Sequence, residues 1–277
     1  MDRATETLVK KYKSRQSCYG LLRESSPGGH VVYSNFKKQS QIMQITLEHF
    51  KNKDALTGSM LIQLHALMPA LFMGARDGPK AVVLRGANGN FCGDFDSGLV
   101  KKLDNTNDAS GMKDVMLDIT RSLAYSPLVS IAVIDGVAVG AGSDLAAACD
   151  MRVAHRKAKI QFTESSIGLS SKLEDGDFID QALRGQAEKY LGSGHAIAAK
   201  ELHDIGFLSA IYDNEEQLDE FVNRANAVRN DAYAGAKRVV AGWCDGDDGE
   251  KQELNVFLSL WGMTEHREAL EPTKKSS

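Results

Sequence analysis

The spacing of apolar and polar residues changes character along the chain, and the changes divide it. Residues 1–29 are mostly polar and end in SSPGGH, which predicts a loosely held arm. HVVYSNFKKQSQIMQITLE then offers two β-prone runs, Val31–Phe36 and Gln41–Leu47, parted by polar residues as in a hairpin. In SMLIQLHALMPALFMGA the positions Met60, Leu64, Leu67 and Leu71 form a helical stripe, which Pro69 is expected to kink or shorten. KAVVLRG and LVSIAVID are short, continuous apolar runs, the pattern of strands covered on both faces. Between them lie a Gly/Asn-rich loop, GANGNFCGDFDSG, and a helical stretch, GMKDVMLDITRSLAYS.

DGVAVGAGSDLAAACD, MRVAH and KIQF continue the strand–helix–strand rhythm, which implies an α/β domain with crossovers rather than a meander. From about Asp177 the pattern turns helical, through IDQALRGQAEKYLG, AIAAKELHDIG, EEQLDEFVNRANAVRNDAYAGAKRVVAGW and LNVFLSLWGM. The acidic CDGDDGEKQE reads as a solvated turn between helices. Three regions follow: an arm over residues 1–29, an α/β core over 30–195, and a helical region over 196–277.

Composition narrows the class. With 277 residues, 43% apolar and 25% charged, the chain is long enough to bury a substantial core. A net charge of −4 provides no overall basic field for nucleic acid or an anionic membrane. Cys18, Cys92, Cys149 and Cys244 show no paired spacing, so neither a disulfide framework nor a zinc site is indicated, and a reducing compartment is expected. No apolar run approaches the roughly 18 residues a membrane span requires. The first residues, MDRATETLVKKYKSR, lack the apolar core of a signal peptide, and TKKSS at the end is not a peroxisomal tail. An intracellular protein of the cytoplasm or mitochondrial matrix is expected.

Two loops carry candidate chemistry. In RGANGNFCGDFDSG, Gly86, Gly89 and Gly93 permit close backbone approach and exposed amides, although the loop alone also reads as a structural turn. It is neither a Walker loop nor a dinucleotide fingerprint. In DGVAVGAGSDLAAACD, Gly140-Ala141-Gly142 reads as a strand-to-helix corner. The first amides of that helix have no intrahelical partner, so an anion would be welcome at Ala141. Asp144 then reads either as a functional acid or as first-turn charge complementing the dipole. Glu164 follows the KIQF strand, as a strand-end carboxylate or a lone exposed one. The seven histidines form no metal-binding pair, and no GxSxG elbow is present.

Taken in order, these blocks resemble the crotonase superfamily of enoyl-CoA hydratases and isomerases. MQITLEHFKNKDALTGSMLIQL is similar to its opening strand, Asn-Ala-Leu turn and first helix, with Asp54 in place of the asparagine. KAVVLRGANGNFCGDFD resembles its strand and Phe-Cys-Ala-Gly-x-Asp loop, with Gly93-Asp94 in place of Ala-Gly. LVSIAVIDGVAVGAGSDLAAACDMRVAHRKAKIQFTESSIGL resembles its most diagnostic block, and AEKYLGSGHAIAAKELHDIGFLSAIYD a later segment.

The resemblance implies a spiral of ββα units with a helical C-terminal region. It also implies an enzyme of the enoyl-CoA hydratase/isomerase type that forms a thioester enolate. The oxyanion hole would be the amides of Phe95 and Ala141. Glu164 would be the main proton-transferring residue and Asp144 its partner acid, with Ala55, Gly93, Asp96 and Gly140 helping to bind substrate. Hydratases usually carry Glu where Asp144 stands. Dienoyl-CoA isomerases add an Asp where this chain has Lys172. The alternatives that remain are an isomerase without hydratase activity, a catalytically weak acyl-CoA binder, and a thioester hydrolase or decarboxylase. No metal and no cofactor apart from the substrate's own coenzyme A is implied, and a homotrimer or hexamer is the expected assembly.

Overall fold

The computed structural model describes residues 18–50, 52–72, 78–103, 106–167, 177–227, 230–244 and 249–270. The hairpin forms as expected: β1 (His30–Asn35) pairs antiparallel with β2 (Ile42–Glu48), Tyr33 opposite Ile45. Helix α2 (Gly58–Leu67) is capped by Thr57, whose hydroxyl accepts from the Met60 amide at 3.1 Å. It gives way to a 3-10 turn over Met68–Phe72, the shortening that Pro69 predicts.

Beyond it the chain winds as a spiral. β3 (Ala81–Gly86) is followed by β4 (Cys92–Gly93), and after α3 (Ser97–Lys102) and α4 (Thr106–Tyr125) come β5 (Val129–Ile134) and β6 (Val137–Val139). Helix α5 (Ala141–Ala148) leads to β7 (Met151–His155) and β8 (Lys159–Gln161). In each turn the first strand joins one sheet and the second strand joins another. β2, β3, β5 and β7 lie parallel in the larger sheet, and β4, β6 and β8 lie parallel in the smaller. Continuous apolar runs suit this arrangement: all six residues of β5 are buried, with even and odd positions facing separate cores. Each such Val or Ile contributes about 1.5–3 kcal/mol over remaining exposed.

Three expectations need correction. Residues 18–29 are no loose arm: in α1, described over residues 18–25, Cys18 and Leu22 are buried, one helical turn apart. A Cβ on Gly58 would lie 1.9 Å from the Leu22 carbonyl oxygen, so α1 rests directly on the start of α2. Nor is the segment after 177 wholly helical. α6 (Asp177–Ala182) and α7 (Ala187–Ser193) are separate, parted by a turn in which Arg184 and Gly185 take φ of +52° and +72°. Finally, the α/β core does not end at 195. β9 (Ile197–Ala198) pairs antiparallel with β8, and after α8 (Ala199–Asp204) β10 (Ala210–Tyr212) extends the larger sheet beside β7. The helical remainder is α9 (Glu215–Asn226), α10 (Asn230–Cys244), α11 (Gly249–Leu260) and α12 (Thr264–Leu270). Residues 245–248 of the acidic turn lie outside the described residues.

Candidate active site

Two backbone corners meet beside the smaller sheet. The first follows β4. Leu56 forms a parallel bridge with Phe95: its amide donates to the Asp94 carbonyl at 2.8 Å, and the Asp96 amide donates back to the Leu56 carbonyl at 2.8 Å. The turn that presents Leu56 is fixed by buried Asp54, whose carboxylate accepts from the His49 amide at 2.8 Å and from both nitrogens of Asn88 at 3.0 and 2.6 Å. Gly93 is confined to hydrogen, because a Cβ there would approach the Asn52 carbonyl to 2.8 Å.

The second corner follows β6. Gly140, at φ +49° and ψ −117°, adopts a backbone conformation open to glycine and turns the chain into α5. Its amide donates to the Gln161 carbonyl at 2.9 Å, and its carbonyl accepts from the Ser143 hydroxyl at 2.6 Å. α5 packs hard on β4, since a Cβ on Gly142 would come within 2.5 Å of the Cys92 carbonyl. This contact sets the distance between the two corners.

The amides of Phe95 and Ala141 consequently converge on one point, which is marked by an oxygen of the protein itself. Asp94 Oδ1 accepts from Phe95 N at 2.8 Å and from Ala141 N at 3.1 Å, while its Oδ2 accepts from Thr163 Oγ1 at 3.3 Å. Two donors meeting at a single oxygen at these distances can stabilise an oxyanion.

The remaining candidates surround that point in different ways. Asp144 is half-buried in the first turn of α5, and its amide donates to the Gly140 carbonyl at 3.1 Å. Glu164 opens a 3-10 turn over Glu164–Ile167, next to the Thr163 that reaches Asp94. The side chain of Glu164, and Lys172 altogether, lie outside the described residues. Ala55 is buried, with its carbonyl 3.0 Å from His49 Nδ1. Asp96 caps α3 by accepting from the Gly98 amide at 3.0 Å, and it also takes Ser26 at 2.8 Å and Asn52 at 2.6 Å. Desolvation, the largest single influence, works against its charge, but the hydrogen bonds together prevail and hold its carboxyl below the usual range. Sequence reasoning, which set a third carboxylate at Asp94 close to Phe95, missed Thr163 and the reach of that carboxylate to the Ala141 amide. The available signal was an aspartate where the resembled loop has glycine.

The opposite end of α5 holds a cavity of about 390 Å³, lined among others by Asp150, Arg152, Tyr233 and Lys237. Its charges are spent on the protein. The Arg152 guanidinium donates to the carbonyls of Ala146, Ala147 and Cys149 at the helix end, and to Phe207. Lys237 Nζ donates to Asp150 at 2.9 Å, and Asp150 also accepts from the Ser130 amide at 2.7 Å. Burial pushes the Asp150 carboxyl up, opposed by Lys237, and pushes the Arg152 guanidinium down. Among the described residues no three His, Cys, Asp or Glu side chains are grouped to hold a metal, and no helix is long and apolar enough to cross a membrane.

Known proteins share this fold. The family described as enoyl-CoA hydratase/isomerase matches residues 37–246. An ethylmalonyl-CoA decarboxylase of Xenopus tropicalis is 32% identical, with 88% of this chain and 83% of that one covered. The Danio rerio protein of the same name is 27% identical, with 96% and 93% covered. A putative enoyl-CoA hydratase from Streptomyces coelicolor A3(2) has the same fold, at TM-score 0.78 and 23% identity, with 87% and 89% of the two chains covered. The match takes in both corners of the site and most of the spiral, so this chain belongs to the enoyl-CoA hydratase/isomerase family, the crotonase superfamily.

Proposed function

We propose that the chain removes carbon dioxide from a 2-carboxyacyl-CoA of the alkylmalonyl type, by way of a thioester enolate held by the Phe95 and Ala141 amides. The observation that carries this reading is the convergence of those two amides on one oxygen. When the bond from the α-carbon to the carboxylate breaks, its electron pair moves onto the thioester carbonyl and carbon dioxide leaves. The enolate then takes one proton at the α-carbon. Such a reaction needs no base and only one proton donor, so Asp144 in place of a longer glutamate is no handicap. Asp144 and Glu164 are the candidate donors, with Glu164 the first choice. The relatives named ethylmalonyl-CoA decarboxylase support the substrate class over most of the chain.

Hydration or isomerisation of an enoyl-CoA is the second reading, favoured by an acid at both Asp144 and Glu164, where the family's water- and proton-handling acids fall. Products separate the readings. Ethylmalonyl-CoA should give carbon dioxide and a saturated acyl-CoA. 3-Hydroxyacyl-CoA from a 2-enoyl-CoA, or a shifted double bond, would favour the second reading, and free CoA would indicate a thioester hydrolase. Thioester binding without any product would mean a non-catalytic binder. Gly93 and Gly140 would serve the acyl group by letting the two corners close on each other, and Ala55 and Asp96 would shape the entrance. No cofactor beyond the substrate's coenzyme A is required. A homotrimer or hexamer would cover apolar side chains exposed on and after α11, such as Phe257, Leu258 and Trp261; light scattering measures its mass. Fractionation would test placement in the cytoplasm or mitochondrial matrix.

A further inference from the structure

The carboxylate of Asp94 has no part in enolate chemistry as derived above, yet it holds the centre of the site. Its backbone lies at φ +77°, in the left-handed region where Asp is tolerated but glycine is at home. That conformation turns the side chain inward, so that one oxygen takes both the Phe95 and the Ala141 amide and the other takes the Thr163 hydroxyl. The neighbouring corner is cut to fit it: a Cβ on Gly140 would lie 2.3 to 2.5 Å from the carboxylate atoms of Asp94. An oxygen bridging both donors stands where a thioester carbonyl oxygen must stand, and two oxygens cannot share the place.

We infer that Asp94 is a specificity-determining residue of the acyl-CoA site, an internal ligand of the oxyanion hole that an incoming thioester carbonyl must displace. This rests on the acyl-CoA reading and goes beyond it. Amide hydrogen bonds to a charged carboxylate are stronger than those to a neutral carbonyl, so the ground-state thioester competes poorly for the two donors. The enolate, itself an anion, competes on more even terms. Asp94 therefore weakens the binding of the thioester group selectively and leaves recognition of the coenzyme A moiety alone. The protein discriminates less between acyl-CoA and free CoA than an open hole would.

Calorimetry on the full chain with butyryl-CoA and with free CoA tests this. Asp94→Gly should bind butyryl-CoA at least about tenfold more tightly than the unaltered protein, with free CoA changed less than about threefold. Asp94→Asn, which keeps the shape and removes the charge, should tighten butyryl-CoA binding by less and carries the test should the glycine variant fail to fold. Thr163→Val, which loses only the Oδ2 contact, should shift binding in the same direction by less again. Equal or weaker thioester binding by Asp94→Gly or Asp94→Asn, with free CoA binding intact, overturns the assignment. Binding of neither compound by any of the proteins would instead remove the acyl-CoA reading, and the assignment with it.

Discussion

The two ends of helix α5 solve one problem in opposite ways. Every helix leaves orphan amides at its start and orphan carbonyls at its finish. At the finish of α5, a buried guanidinium takes the carbonyls of Ala146, Ala147 and Cys149, and a lysine from α10 holds the adjacent Asp150. At the start, the Ala141 amide is met, among the described residues, by the Asp94 side chain alone, at 3.1 Å and from a loop 47 residues earlier. The first arrangement is internal and built to stay. The second can be exchanged for a ligand oxygen without unmaking the fold. Orphan groups become a functional site where their partner is displaceable, and they become structure where it is not.

This contrast can be broken most forcefully at the permanent end. Arg152→Met should lower the unfolding free energy by about 3–5 kcal/mol in urea denaturation, because it leaves the buried carbonyls of Ala146, Ala147, Cys149 and Phe207 without their donor. A loss under about 1 kcal/mol would mean that this end is as dispensable as the other. At the exchangeable end, Gly140→Ala should cost about 1–3 kcal/mol through its backbone conformation and the collision of its Cβ with the Asp94 carboxylate. Combined with Asp94→Gly, the part of that loss due to the carboxylate should be recovered, and a double-variant thermal unfolding series measures the recovery.

A smaller effect is expected at Asp96, which pins the loop that delivers Phe95. Asp96→Asn should cost about 1 kcal/mol near neutral pH. The folded-state carboxyl of Asp96 lies below its ordinary value of 3.8, so the folded chain binds that proton less readily than the unfolded one. Its contribution is therefore present above that value and lost as pH falls through the folded pKa. The gap between Asp96→Asn and the unaltered protein should narrow below about pH 4, which chemical denaturation across the acid range would show.

Much of this architecture is legible in the sequence where a single local pattern decides the outcome. The runs in KAVVLRG and LVSIAVID are strands because both faces of the larger sheet are covered, which suits the unbroken apolar residues Ala81–Leu84 and Ile131–Ile134. Ile197–Ala198 and Ala210–Tyr212 escape such reading: strands of two and three residues are created by the neighbours they pair with. α1 escapes for a related reason, since Cys18 and Leu22 are too few to form a stripe and the close seat of Leu22 on Gly58 has no local pattern. The amides of Phe95 and Ala141 were placed by the order of motifs along the chain, and the structure brings them together. That Asp94 turns its carboxylate into their midst depends on one backbone angle and on the absence of a side chain at Gly140, neither of which has a periodicity to read.

The most direct test of the exchangeable end uses the position of Ala141 as the first residue of α5. Proline's fixed φ suits a first helical position, so Ala141→Pro removes the donor while keeping the helix start, its ring displacing the Asp94 carboxylate oxygen. With carbonyl-labelled butyryl-CoA bound, the infrared carbonyl stretch of the unaltered protein should move to lower frequency than in water. In Ala141→Pro that displacement should shrink, and turnover should fall by about 10²–10³ with thermal stability nearly unchanged. A carbonyl stretch that is the same in water, in the protein and in the proline variant, with turnover intact, would contradict the oxyanion hole at the start of α5.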